Sequence, residues 1–241
     1  MSTPEARLRL ETRDGGAIAH VTLDDEARLN VFSRALMSSF LHVMGELAAR
    51  SDLRCVVLTG AGERAFVAGA DILEMAEIAG PAEARAFIGQ VHACCEAARA
   101  CPVPVIAQIN GHALGAGLEL AAACDLRVAS QNATFGMPEV KVGVPSVVEA
   151  ALLPGLIGWG RTREMLLLGM SYEADAARAM GLVDEVVAPD RLDAAVEVRI
   201  AAILDAKPGA VRLQKALIRR WETCRCARRW RSASTLSPRP F

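Results

Sequence analysis

The sequence has no apolar run long enough to span a membrane, and no block of positive charge before about residue 212. Its longest apolar stretches, near residues 103–109 and 150–159, are too short for a transmembrane helix and contain proline or glycine. Residues 1–10 carry charges throughout and lack the apolar segment of a signal peptide. The formal net charge is −1, which argues against a broad surface for nucleic acid. We therefore expect a cytoplasmic protein that binds neither a membrane nor a nucleic acid.

The cysteine pattern is not that of a disulfide framework or a zinc site. The seven cysteines are an odd number, and no CxxC pair occurs among them. Four of them stand in apolar runs, which predicts buried free thiols in a reducing compartment and no bound metal. The cysteines are Cys55, Cys94, Cys95, Cys101, Cys124, Cys224 and Cys226.

Hydrophobic residues make up 52% of the 241 residues, which indicates a folded chain with a large core. Apolar strand patterns alternate with helical patterns through residues 17–187, and helical patterns continue beyond residue 190. This order predicts an α/β fold with a helical C-terminal region. The predicted strands span residues 17–23, 54–59, 105–110, 125–129 and 182–187. The predicted helices span residues 33–49, with Ser33 as the N-cap, and residues 81–99, 114–123, 146–157, 161–168, 173–180, 190–206 and 208–221.

The most informative segment is INGHALGAGLEL, residues 109–120, where an apolar strand ends and a helix begins. Its small residues at 115–117 leave backbone N–H groups uncovered at a helix start, which suits an anion or a developing oxyanion. Neither the dinucleotide fingerprint nor the P-loop is matched, because GxGxxG and Gly-Lys-Ser/Thr are absent. A second small-residue loop, residues 65–72, also follows a buried strand. The two loops could each direct one N–H at a single carbonyl oxygen, although a tight turn alone would also explain either one.

Two glutamates are candidates for acid–base chemistry. Glu119 stands in the first helical turn after the glycines, where a carboxylate is favoured by the helix dipole. Glu139 stands in an irregular, apolar segment, where burial tends to raise the pKa of a carboxyl group. A capping or solvated side chain is the alternative interpretation of each.

Three segments taken together resemble the signature blocks of the enoyl-CoA hydratase/isomerase (crotonase) family. They are AFVAGADILEM at residues 65–75, NGHALGAGLELAAAC at 110–124 and TFGMPEVKVG at 134–143. The resemblance implies a crotonase-like (ClpP/crotonase) superhelix of stacked ββα units. It also implies an α/β core domain over residues 1–190 and a helical trimerisation region over residues 191–221. We predict that this helical region is truncated and is followed by an atypical, disordered tail at 222–241. The resemblance implies a homotrimer or dimer of trimers.

The same resemblance implies hydration of a 2-enoyl-CoA thioester, with coenzyme A as part of the substrate and no further cofactor. The N–H groups of Ala70 and Ala116 would form the oxyanion hole. Glu119 would activate water for attack at C3, and Glu139 would act on the same water and protonate C2. The implied substrate and coenzyme A contacts are Arg28, Ala68, Ala70, Asp71, Ile72, Leu73, Gly115 and Ala116.

The chain departs from the family pattern at several positions. Ser146 replaces a glycine, Glu149 adds a third carboxylate that we interpret as structural, and Leu73 stands where lysine is common. The arginine-rich end lacks an apolar period, and an altered reading frame is one hypothesis for it. The alternatives to a hydratase are an isomerase or a thioester hydrolase, a non-catalytic acyl-CoA-binding or assembly protein, and RNA binding through the arginine-rich end.

Overall fold

The computed structural model describes residues 3–223. Its strands, numbered in chain order, form two sheets. They are β1 (Glu5–Arg13), β2 (Gly16–Asp24), β3 (Leu53–Gly60), β4 (Ala65–Val67), β5 (Val105–Ile109), β6 (His112–Leu114), β7 (Leu126–Ser130), β8 (Thr134–Gly136), β9 (Ser171–Glu173) and β10 (Glu185–Val187). The α-helices are α1 (Arg34–Ala48), α2 (Ile72–Ala76), α3 (Pro81–Ala100), α4 (Ala116–Ala123), α5 (Leu153–Leu168), α6 (Ala174–Ala179), α7 (Leu192–Asp205) and α8 (Pro208–Thr223).

The first sheet has the strand order β1-β2-β3-β5-β7-β10, and the second has the order β4-β6-β8-β9. In the first sheet β1 and β2 are antiparallel and the other neighbours are parallel. Along the chain, β3, β5 and β7 of the first sheet are each followed by one strand of the second sheet. After β4 and β6 a helix returns the chain to the first sheet. The predicted stacking of ββα units is therefore confirmed.

Strand β3 shows how one sheet separates two cores. Its residues alternate between faces, as the period of two of a strand requires. Val56 and Leu58 join the main core, which includes α1 and α3, whereas Cys55 and Val57 join a second cluster. Helix α7 covers that second cluster with Leu192, Ala195, Val196 and Ile200. Both faces of the sheet are thus buried, which explains why β3 is apolar nearly throughout.

Two buried cations tie the C-terminal helices to this sheet. Arg54 of β3 donates to the carbonyl oxygens of Ile203 at 2.7 Å and Ala206 at 2.7 Å, where α7 ends. The Nζ of Lys215 on α8 donates to the carbonyl oxygen of Val103 at 2.9 Å and to Asp125 Oδ2 at 2.6 Å. Helix α8 continues to Thr223, two residues into the segment predicted as a tail. The rest of that predicted tail lies outside the described residues.

Several predicted elements are confirmed closely and others are wrong. Ser33 caps α1 as predicted, because its side chain accepts a hydrogen bond from the Leu36 N–H at 3.2 Å. Strand β1 was not predicted, and β6 occupies residues that were predicted as a turn. The helix predicted over residues 146–157 is wrong at its start, because residues 146–148 are not helical. A 3-10 turn, Glu149–Leu152, leads into α5.

The expectations about membrane spans, metal sites and cysteines concern features of residues 3–223. Within residues 3–223, no helix is both long and apolar enough to cross a membrane. The same range contains no group of three or more His, Cys, Asp or Glu side chains arranged to hold a metal ion. The five cysteines of this range are free and buried, as predicted. Cys224 and Cys226 lie outside it.

Candidate active site

A cavity of about 530 Å³ opens beside the start of α4. On one side it is bounded by the loop after β4, by α2 and by α3, and on the other by the segment of residues 138–148. Most of its walls are apolar side chains, and Glu119 and Glu139 are the carboxylic acids among its lining residues. Such an apolar pocket with a few converging polar groups is the usual form of a small-molecule site.

The glycines before Glu119 are required by close packing between the two loops. Gly115 has a φ of +51°, and a Cβ built on it would lie 2.6 Å from Glu139 Oε1. Gly117 packs against the backbone of Val67 so closely that a Cβ would collide with its carbonyl oxygen. Gly117 thus lets α4 lie against β4, and Gly115 leaves space for the Glu139 carboxylate.

The two loops each present a backbone N–H near the cavity. Phe32 and Ala70 form a parallel bridge in which the Phe32 N–H donates to the Gly69 carbonyl at 2.8 Å. The Asp71 N–H completes it by donating to the Phe32 carbonyl at 3.0 Å. In this pattern the N–H of Ala70 points away from the bridge partner. Ala116 is the first residue of α4, so its N–H has no acceptor within the helix.

Glu119 is almost fully buried, with 4% of its surface exposed. Its Oε1 accepts a hydrogen bond of 2.9 Å from the Ala150 N–H. Burial, opposed in part by that hydrogen bond and reinforced by the nearby carboxylates of Glu139 and Glu149, raises the pKa of Glu119 to about 7. The group can therefore change its protonation state near neutral pH.

Glu139 lies on a 3-10 turn, Pro138–Val142, and is half-buried. Its Oε2 accepts a hydrogen bond of 3.0 Å from the Ser146 hydroxyl. Burial raises the pKa of this carboxyl group, while its own backbone N–H and the Ser146 hydroxyl oppose the rise. Ser146, the residue that departs from the family's glycine, is thus a direct partner of one carboxylate of the site.

The structure brings some of the predicted coenzyme A contacts to the cavity and places others beside it. Ala68, Ile72 and Gly115 line the cavity together with Ala70 and Ala116. The buried carboxylate of Asp71 accepts hydrogen bonds from the first N–H groups of α2 and a 2.6 Å ion pair from Arg28. Leu73 is exposed on α2.

Sequence analysis missed two participants in this region. It did not identify Ala150, whose N–H holds Glu119, because residues 146–157 were predicted as one continuous helix. It did not identify His92, which lies on α3 and contacts Glu149 across the interface between elements. His92 is an exposed residue of α3, so the helical pattern gave no signal for this contact, and its partner is 57 residues away.

Comparisons with known proteins agree with this geometry. A family model described as Enoyl-CoA hydratase/isomerase matches residues 13–233. A short-chain-enoyl-CoA hydratase from Clostridium acetobutylicum is 38% identical over 210 residues, which cover 87% of this chain and 80% of that protein. A crotonyl-CoA hydratase from Syntrophomonas wolfei is 41% identical over 162 residues, which cover 67% of this chain and 62% of that protein. The crystal structure of an enoyl-CoA hydratase from Bacillus anthracis aligns with a TM-score of 0.89 at 31% identity, covering 95% of this chain and 88% of that one. These likenesses confirm the predicted architecture.

Proposed function

The chain belongs to the enoyl-CoA hydratase/isomerase family, and we propose that it adds water across the C2=C3 double bond of a 2-enoyl-CoA thioester. One observation carries the proposal. Two carboxylic acids, Glu119 and Glu139, line one apolar cavity together with Ala70 and Ala116. The N–H of Ala70 points away from its bridge partner, and the N–H of Ala116 has no acceptor within α4. Hydration of a conjugated thioester requires an acid, a base and a means of stabilising negative charge on the carbonyl oxygen.

The backbone of the two loops would stabilise the enolate. The N–H groups of Ala70 and Ala116 would donate to the thioester oxygen, on which negative charge develops as water attacks C3. Fixed donors in an apolar cavity stabilise such charge more than water does, because they need not reorganise during the reaction. The start of α4 adds its helix dipole in the same sense.

The two carboxyl groups would divide the proton transfers. Glu119, held by the Ala150 N–H, orients a water and takes a proton from it as the oxygen bonds to C3. Glu139, held by the Ser146 hydroxyl, contacts the same water and delivers a proton to C2. The product gains one H and one OH, and the pair keeps its total proton count. Burial raises the pKa of both groups, that of Glu119 to about 7, so a neutral carboxyl group is more favourable in this cavity than in water.

Binding of the remaining substrate belongs to the same proposal. Coenzyme A, a part of the substrate, would follow the loop at residues 68–73, with Arg28 beside it, and no metal or further cofactor takes part. Five free, buried cysteines support a reducing compartment such as the cytoplasm. Trp159, Leu167 and Leu168 expose large apolar surfaces on α5, which supports a homotrimer or dimer of trimers. Sedimentation analysis measures that assembly directly.

The assay follows the absorbance of the conjugated thioester of crotonyl-CoA in the parent protein and in Glu139→Gln. We expect rapid loss in the parent, and a rate lower by about a hundred- to ten-thousandfold in the variant, the range for removing one acid–base group. The matched control is Glu46→Gln, which changes an exposed glutamate of α1 and should leave the rate unchanged.

Glu119→Gln separates hydration from isomerisation in the same family. Hydration needs both carboxyl groups and should collapse in this variant. A one-base isomerisation of a 3-enoyl-CoA would survive in the variant, and its survival together with absent hydration in the parent would reject the hydratase assignment. Retained binding of crotonyl-CoA without any turnover in the parent would instead indicate a binding protein.

A further inference from the structure

Glu149 is a buried carboxylate that the proposed mechanism does not use. It begins the 3-10 turn Glu149–Leu152 and exposes only 5% of its surface. Its Oε1 lies 2.8 Å from His92 Nδ1, while its Oε2 is buried and has no hydrogen-bond partner among the described residues. A buried carboxylate with an unpartnered oxygen is costly, so its presence needs an explanation. Glutamine could make the same contact with His92 at a lower desolvation cost, so the acidity itself is the feature to explain.

Glu149 lies close to Glu119, and the backbone of the residue after it contacts Glu119 directly. The residue that follows it, Ala150, donates its N–H to Glu119 Oε1 at 2.9 Å. The thiol of Cys95 reports the same proximity, because its pKa is raised by burial and then by the carboxylates of Glu149 and Glu119. Fixing the Glu149 side chain therefore fixes the turn that holds Glu119.

His92 connects this buried group with solvent. It lies on α3, and 58% of its side chain is exposed although its Nδ1 contacts the buried Glu149. The turn at residues 149–152 is thereby attached to α3, one wall of the cavity. An imidazole in this position holds Glu149 whether it donates as a neutral ring or as a cation.

We propose that Glu149, held by His92, is a positioning residue for Glu119: it anchors the turn that presents the Ala150 N–H and places a third acidic group beside the water-activating carboxyl group. This inference rests on the proposed hydratase function. It assigns to Glu149 an effect on the pH at which Glu119 ionises, in addition to an effect on the position of the Glu119 side chain. The groups that face Glu119 are Glu139 from the turn at 138–142, Glu149 from the turn at 149–152, and Cys95 from α3.

The test measures kcat and KM for crotonyl-CoA against pH in the parent, Glu149→Gln and His92→Asn. In Glu149→Gln we expect kcat to fall about tenfold with KM changed by less than about twofold, because a displaced catalytic group affects turnover more than binding. The acid limb of the kcat profile should move down by about one pH unit, because a nearby acidic group no longer opposes the ionisation of Glu119. His92→Asn should also lower kcat, because the turn loses its anchor, but it should not move the acid limb down, because the Glu149 carboxyl group remains.

A direct titration makes the inference independent of turnover. The carboxyl carbon of Glu119, followed by NMR in protein labelled at glutamate, should titrate at lower pH in Glu149→Gln than in the parent. The matched control is His42→Asn, which breaks the exposed contact of 3.3 Å between His42 and Glu46 on α1 and should leave kcat and the titration unchanged. Far-UV circular dichroism and thermal melting identify any variant that fails to fold. If Glu149→Gln does not fold, Glu149→Asp, which keeps the acidic group but shortens it, and His92→Asn still test the positioning effect on kcat.

The outcomes are distinct. A lower melting temperature with an unchanged kcat, pH profile and Glu119 titration would mean a purely structural role and would overturn the inference. A parent that does not hydrate crotonyl-CoA would refute the proposed function alone, because the carbon titration still decides whether Glu149 acts on Glu119. If the double variant that combines Glu149→Gln with His92→Asn loses no more activity than Glu149→Gln alone, the pair acts as one unit, as the inference requires. Fully additive losses would contradict it.

Discussion

The two glutamates of the site have the same side chain in different surroundings. Glu119 lies on a regular helix inside the core and is held by a backbone N–H. Glu139 lies on a 3-10 turn, is half-buried and is held by a hydroxyl group. Burial raises both pKa values, but Glu119 has more burial and two neighbouring carboxylates to raise its own.

The surroundings of Glu119 are therefore set by the fold, whereas those of Glu139 can be changed by a single side chain. The setting of Glu119 depends on backbone packing at α4 and on the turn beyond residue 148, so few substitutions can change it without disturbing the core. The setting of Glu139 depends on Ser146 and on the space left by Gly115. Changes at those two positions are therefore the direct way to alter one carboxyl group without the other.

The largest effect that would test this comparison is expected from Gly115→Ala. The new methyl group would lie 2.6 Å from Glu139 Oε1, at a φ of +51° that an L side chain rarely adopts. We expect kcat for crotonyl-CoA to fall about a thousandfold, because Glu139 must move away from the position needed for proton transfer.

Gly89→Ala is the matched control for that substitution. Gly89 is an exposed glycine inside α3, and a Cβ there meets no atom within 4 Å. The change should leave kcat unaltered and stabilise the protein by about 0.5–1 kcal/mol, because alanine favours a helix over glycine. Equal losses of activity in the two variants would mean that the space at Gly115 does not matter for Glu139.

The next effect concerns stability against pH. Burial and neighbouring carboxylates raise the pKa of Glu119 from 4.5 to about 7 in the folded protein. The folded state therefore holds this proton more tightly than the unfolded chain, and stability present below about pH 4.5 is lost as the pH rises to about 7. Glu119→Gln cannot ionise, so we expect it to be more stable than the parent by about 3 kcal/mol at pH 8 and equal to it near pH 4, at about 1.4 kcal/mol per pKa unit.

Urea unfolding at the two pH values measures this difference. Glu139→Gln should show a smaller gain at pH 8, because its carboxyl group is only half-buried. A gain for Glu119→Gln that is the same at both pH values would show that the ionisation of this group does not carry the effect.

The smallest effect is expected from Ser146→Ala. Its hydroxyl group orients the Glu139 carboxyl group and stabilises its ionised form. Its removal should raise the pKa of Glu139 further, and loss of the orienting contact should lower kcat by about tenfold, the size of one hydrogen bond to a charged group. The pH profile of kcat locates the change, and Ser146→Thr, which keeps the hydroxyl group, should restore most of the activity. A loss of equal size in the threonine variant would argue for packing rather than hydrogen bonding.

Patterns within single elements allowed much of the fold and both carboxylates to be predicted. The apolar β3, the Ser33 cap and the glycines at 115 and 117 each have a local physical cause that appears in the sequence. Strand β1 also had such a signal, since charged residues alternate along Glu5–Arg13 and Asp14-Gly15 follows. The strand was not predicted because the prediction relied on apolar runs, and an edge strand with this many charged residues contains none.

Contacts between distant elements could not be predicted in this way. Residues 146–148 were predicted as the first turn of a helix, but they are not helical, and there Ser146 contacts Glu139 and the following turn contacts Glu119. The pairing of His92 with Glu149 depends on how α3 packs against that turn. Local propensity cannot describe either contact, because tertiary packing overrides it at these positions.

The buried guanidinium of Arg54 has a consequence for how the chain can be divided. It donates to carbonyl oxygens at the end of α7 and to that of Gly15 in the β1–β2 turn. A chain cut near residue 190 would keep this cation and lose most of its acceptors, along with the helix that covers one face of the sheet. Lysine could not replace it, because one ammonium cannot match a planar group that donates in several directions. Residues 191–223 are therefore a part that the sheet needs in order to stay folded, and an expression fragment without them should not be isolable as a stable unit.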